Sequence, residues 1–72
     1  MQRCRRFELI RTEDLTGLSG VGMVAEGVEF VDGLVVLRWN TAHKSTALYD
    51  SIRDLLALHG HGGRTTIRWV DQ

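Results

Sequence analysis

Val28-Glu29-Phe30-Val31-Asp32-Gly33-Leu34-Val35-Val36-Leu37-Arg38-Trp39 is the stretch on which the fold turns. Two apolar-rich runs flank an Asp-Gly pair, which predicts a β-hairpin, because a two-residue type I′ turn needs φ > 0 at both central residues. With Asp32-Gly33 as the loop, Val31 faces Leu34, Phe30 faces Val35, Glu29 faces Val36 and Val28 faces Leu37. Side chains alternate along a strand. This register therefore sends Val28, Phe30, Val35, Leu37 and Trp39 to a core face and Glu29, Val31, Leu34, Val36 and Arg38 outward.

Upstream, Met23 to Phe30 reads as the first arm of the hairpin, with Gly27 inside it. Counting back by twos would bury Glu26 beside Trp39, which is costly for an unpaired carboxylate. A bulge at Gly27 resolves the conflict, turning Ala25 and Met23 inward and Glu26 to solvent. Before it, Thr12 to Gly22 is a glycine-rich loop from which Leu15 and Leu18 are expected to tuck inward. Arg5 to Arg11 alternates as a strand with Phe7 and Leu9 inward.

Downstream, Asn40 to Lys44 is a polar connection and Ser45 to Tyr49 a fourth strand whose inward face stays open. Ser51 has the position of a helix N-cap, with Asp54 three residues on. Ile52, Leu55, Leu56 and His59 then recur at helical spacing, and Gly60 is the expected left-handed terminator. His61-Gly62-Gly63 is a loop, and Arg64 to Val70 a last strand with Thr65, Ile67 and Trp69 on one face and Thr66, Arg68 and Val70 on the other.

The order β-β-β-β-α-β predicts a mainly β domain. Two architectures use the same strands: an SH3-like small barrel, or a strongly bent, open five-stranded antiparallel sheet with the short helix on one face. Seventy-two residues make one domain, 1–72, near the length at which a core is only just sufficient; residues 1–4 are expected to form a flexible basic tail. Nine basic and nine acidic residues cancel, so no global field draws the chain to nucleic acid or to anionic membrane. The single cysteine, Cys4, excludes an internal disulfide. No signal-peptide core follows the basic amino end and no run approaches a membrane span, so a cytoplasmic protein, intact from Met1, is expected.

The run Gly17-Leu-Ser-Gly20-Val-Gly22-Met-Val-Ala-Glu26-Gly27-Val28-Glu-Phe30-Val-Asp32-Gly33-Leu-Val35-Val-Leu37-Arg38-Trp39 resembles short proteins of actinobacteria and their bacteriophages. His43-Lys-Ser45-Thr46, Tyr49-Asp-Ser51-Ile52-Arg-Asp54 and His59-Gly60-His61-Gly62-Gly63-Arg64-Thr65 extend the match, which covers most of Phe7 to Trp69. The resemblance implies a phage or actinobacterial origin and a shared fold. It implies no activity.

Candidate chemistry is sparse. His43, His59 and His61 are the possible metal ligands, but their spacing matches no established site, and a histidine in a last helical turn is ordinarily there for the helix dipole. Gly17-Leu-Ser-Gly20-Val-Gly22 lacks the following helix that a phosphate loop needs. Ser19, Ser45 and Ser51 have no nucleophile frame around them. The reading is of a non-enzymatic chain without a cofactor. Arg3, Arg5 and Arg6 form the basic cluster of an alternative, nucleic-acid-binding reading. The favoured site is the outward hairpin face of Val31, Leu34, Val36 and Arg38, an apolar patch joined by Ile10 or Val70. It fits a protein partner, either a host protein or a second copy of the chain.

Overall fold

The computed structural model describes residues 3–12 and 21–71, with His61 described through its backbone. Five strands form one antiparallel sheet: β1 (Arg5–Arg11), β2 (Gly22–Glu29), β3 (Val35–Trp39), β4 (Thr46–Tyr49) and β5 (Thr65–Trp69). Their spatial order is β4-β3-β2-β1-β5. One α-helix, α1 (Ile52–His59), carries the chain from the β4 edge to the β5 edge. The open sheet with a helix on one face is thus the architecture adopted. The expected inward positions of Leu15 and Leu18 lie outside the described residues, as does the start of the amino-terminal tail.

The central hairpin departs from the expected register by one residue. Val28 pairs with Val36, Gly27 with Leu37, Glu26 with Arg38 and Ala25 with Trp39. Phe30 N–H donates to Leu34 O at 2.8 Å and Gly33 N–H donates to Phe30 O at 2.9 Å, so the loop is the three residues Val31, Asp32 and Gly33. Gly33 alone of these is a glycine, and it takes the left-handed conformation, φ 96°, that the third position of such a loop requires. Asp32 Oδ1 accepts the Leu34 N–H at 3.1 Å and fixes the turn. Because the side-chain period is two, this slip moves the whole first arm across the sheet. Val35 and Leu37 are fully buried and Trp39 packs against them, as expected, but Val28 faces the opposite side and Phe30 is 44% exposed.

The core face of β2 holds Ala25, as expected, and then Gly27 and Glu29 in place of Val28 and Phe30. Gly27 is paired with Phe7 across β1 and with Leu37 across β3, and it marks no bulge. The register shift in β2 lies at Val24, between the Leu9–Ala25 and Ile10–Met23 pairs, and it leaves the adjacent residues Val24 and Ala25 both buried. Met23 is exposed, contrary to the expectation, and Glu26 is exposed as foreseen. Gly27 is glycine because Phe7 occupies its side-chain space: a Cβ there would lie 2.5 Å from Phe7 Cζ and 2.5 Å from Val36 O.

The core comprises Phe7, Leu9, Val24, Ala25, Val35, Leu37 and Leu55, with Trp39, Tyr49, Ile52 and Ile67 packed around it. In β4 the inward residues are Ala47 and Tyr49, opposite Leu37 and Val35. Ser51 caps α1 as expected, accepting the Asp54 N–H at 3.1 Å, an interaction that typically stabilises a helix by about 1 kcal/mol. Gly60 is not the left-handed terminator. Its backbone is right-handed (φ −71°, ψ −24°), and the reversal falls to Gly62 and Gly63, at φ 64° and 92°.

At the rim of the core, Arg5 donates to Glu29 Oε1 at 2.8 Å and stacks 3.9 Å above the Trp69 ring, whose edge meets Phe7 at 5.6 Å. Arg11 and Thr65 are the buried polar pair, linked at 3.4 Å, and among the described residues no buried side-chain nitrogen or oxygen lacks a partner. Past β5, Asp71 is clamped by Arg6 through both carboxylate oxygens at 2.9 Å and through the Arg6 backbone N–H at 2.9 Å. These bonds hold the Asp71 carboxyl well below the usual carboxylate range.

Two outcomes follow from this packing. Gly27→Ala should cost about 1–3 kcal/mol in urea unfolding, since neither the Phe7 ring nor the Val36 carbonyl can withdraw freely. A folded-state carboxyl pKa below the unfolded one contributes stability that is present above the unfolded value and lost as pH falls through the folded value. Asp71→Asn should therefore melt lower than the parent chain at pH 7, with the difference shrinking in melting curves taken below about pH 4.

Candidate functional site

With α1 on one side, alternation decides what the other side presents. Opposed residues in an antiparallel pair share a face, so the registers place Leu48, Val36, Val28 and Arg6 in one row across β4, β3, β2 and β1, with Val70 beyond β5 beside Arg6. The neighbouring row runs Thr46, Arg38, Glu26, Glu8 and Arg68 across all five strands. One row is apolar apart from Arg6, with Leu48 67% and Val70 50% exposed, and the other is charged. Between them lies a depression of about 500 Å³ over the centre of the sheet, lined by residues including Val28, Val36, Glu26, Arg38, Arg6 and Glu8.

The charges in this row are unevenly matched. Arg68 donates to Glu8 from Nε at 2.7 Å and also from Nη2. Arg38 turns away from its cross-strand neighbour Glu26 and donates to Thr46 Oγ1 at 3.0 Å. Glu26 stands directly opposite Glu8 in β1, a like-charge neighbour, and its carboxylate makes no hydrogen bond or ion pair among the described residues. The centre of the face thus holds a carboxylate and a guanidinium that have no opposite-charge partner among the described residues.

Of the residues expected to form a partner surface, Val36 and Arg38 lie on this face, Leu34 continues it into the hairpin beside Phe30, and Val31 is 58% exposed in the loop. Phe30, Val31, Asp32 and Leu34 line a second, shallower depression there. Spacing alone misses Val28, Phe30, Glu26, Glu8 and Leu48. The register expected for a two-residue loop sends Val28 and Phe30 inward, and the conflict it creates at Glu26 is the available signal.

The basic residues are not gathered into one patch. Arg3 is exposed, Arg5 lies on the helix side against Glu29 and Trp69, and Arg6 points to the opposite face and binds Asp71. Stacking and pairing occupy the Arg5 guanidinium, and pairing occupies that of Arg6. His59 meets the rings of Trp39 at 5.1 Å and Tyr49 at 5.9 Å, and His43 is exposed on the connection before β4. Among the described residues, no group of three or more His, Cys, Asp or Glu side chains is placed to hold a metal ion. No described helix is long and apolar enough to cross a membrane.

A family model described as Acb5 phage protein matches residues 4–71, nearly the whole chain. No curated protein and no solved structure matches it. The phage side of the resemblance seen in the sequence thus has independent support, and the protein belongs to the Acb5 phage protein family.

Proposed function

We propose that this phage protein is an accessory factor without enzymatic activity, a protein-interaction module that works in the host cytoplasm and makes contact through the face of its sheet that lies away from α1. The observation that carries this reading is the row Leu48, Val36, Val28 and Val70, which is apolar apart from Arg6 between Val28 and Val70, lies opposite the only α-helix among the described residues and is bordered by charges of both signs. An apolar band with a polar margin is the anatomy of a protein contact surface. The hairpin tip, with Phe30 and Val31 exposed, lengthens the band. Both depressions are shallow and their described walls carry no activated nucleophile or acid–base pair, which suits recognition better than chemistry. Nucleic acid is the weaker partner class, because Arg5 and Arg6 are engaged on opposite faces of the sheet.

Lysine at Val31, Leu34 and Val36 together should abolish the contact while preserving the far-ultraviolet circular dichroism spectrum, because these side chains lie outside the core. Affinity capture on the parent chain and on the triple variant, compared by quantitative mass spectrometry and by self-association in sedimentation, reads the effect. A loss of at least about tenfold in one interaction is expected. An unchanged set of retained proteins together with unchanged self-association overturns the proposal. Salt-sensitive binding to single- or double-stranded probes, lost when Arg3, Arg5 and Arg6 are neutralised, would favour the nucleic-acid alternative instead.

A further inference from the structure

The pattern of the face away from α1 is complementary to itself. Across β2 and β3 the outward cross-strand pairs are Glu26 with Arg38, Val28 with Val36 and, at the hairpin end, Phe30 with Leu34. In each pair the two members are chemical counterparts, either opposite in charge or both apolar. A two-fold axis that runs parallel to the strands, midway between β2 and β3 and between two stacked copies, exchanges these strands. It sets Arg38 of each copy over Glu26 of the other, Val36 over Val28 and Leu34 over Phe30. Leu48 falls over the aliphatic stem of Arg6.

Other placements of the axis match the charges less well. Between β1 and β2 it would stack Glu26 on Glu8 and Arg38 on Arg68, like on like. On β2 itself it would bring Glu26 against its own copy. Between β1 and β5 it would oppose Glu8 and Arg68, which already satisfy each other within the chain. The residues left without an opposite charge among those described, Glu26 and Arg38, are the two that the β2–β3 axis joins. Stacked sheets sit about 10 Å apart, a gap that an Arg and a Glu side chain span together.

Resting on the reading of this face as a protein-contact surface, we infer that its occupant is a second copy of the chain, bound sheet to sheet by a two-fold axis between β2 and β3 and registered by reciprocal Arg38–Glu26 pairs. Closed two-fold dimers require one patch to be its own complement, and an unrelated partner would impose no such relation between adjacent strands. The charges fix register and exclude the misaligned stackings, while the apolar row supplies the buried area.

The test is sedimentation velocity on the full chain at several concentrations, with circular dichroism to confirm folding. The parent chain should be dimeric. Glu26→Arg and Arg38→Glu should each weaken self-association by about tenfold or more, because each puts two like charges over one another at both contacts. An equimolar mixture of the two single variants should regain the dimer. In the mixed pair one contact keeps the original Arg38 over Glu26, and the other joins the introduced arginine of one chain to the introduced glutamate of its partner. That recovery has no explanation inside one chain, since each variant still carries a like-charge pair across its own β2 and β3. Should either reversal unfold, Glu26→Gln and Arg38→Gln replace them; each should weaken the dimer, and mixing them should restore it in part, because the mixed pair regains one Arg38–Glu26 contact that neither variant forms with itself. A monomeric parent chain, folded single variants that dimerise like the parent, or a charge-reversed mixture that stays monomeric overturns the inference. If the parent chain is monomeric but Val36→Lys still abolishes capture of another protein, the interaction-module reading survives and this one does not.

Discussion

The placement of the Phe7 ring over Gly27 is the constraint on which the rest of the sheet depends. A half-covered sheet of five short strands offers few inward positions, and the middle strand leaves its central one bare. The ring fills that space from the neighbouring strand, so the centre of the core is packed by a side chain one strand away from where alternation along β2 would look for it. Trp69 then closes on Phe7 edge to face, and Arg5 lies over Trp69 while gripping Glu29. Glu29 can occupy a core-side position at the rim because Arg5 meets it there.

A sheet with one helix has two unlike sides, and the physical character of each follows from the other. The side beneath α1 takes Leu37, Val35, Leu9 and Phe7 to full or nearly full burial, which is where the folding free energy resides. On the other side, exposed ion pairs such as Arg68 with Glu8 contribute little to stability. Their arrangement is therefore free to serve recognition. The apolar row beside them lies outside the core, and its presence on the side away from α1 is the reason for reading that side as a contact surface.

Most of the element order is legible in the chain. The alternation of Phe7 and Leu9, the helical spacing of Ile52, Leu55 and His59, and the Ser51 cap all correspond to local forces that act within a few residues. The face of β2 is not legible, for a specific reason. Val28 and Phe30 look like core residues and Gly27 does not, but the space left by the missing side chain at Gly27 is filled by Phe7, a residue twenty positions earlier. Asp-Gly fits a two-residue loop and the end of a three-residue loop equally well, and only the hydrogen bonds of Phe30 and Gly33 separate them. The buried carboxylate that a two-residue loop demands at Glu26 is its one internal contradiction. A bulge at Gly27 removes the symptom and leaves the register uncorrected. The outward surface is half legible in consequence: Val36 and Arg38 on β3 and Leu34 just before it are found, while their β2 counterparts are hidden by the slip.

The position of β5 beside β1 also sets the order in which the chain can come together. The β2–β3 hairpin closes a loop of three residues, whereas Arg11 and Thr65, paired between β1 and β5, are 54 residues apart. Loop-closure entropy and non-local pairing both place the heavier burden on the last strand. Until β5 arrives, Phe7 lacks its Trp69 neighbour and Asp71 is not yet within reach of Arg6. A hairpin that has already formed but lacks that edge presents both its apolar rows to solvent at once. The same residues that suit a specific contact in the finished sheet are then the ones most exposed to nonspecific association in the growing one.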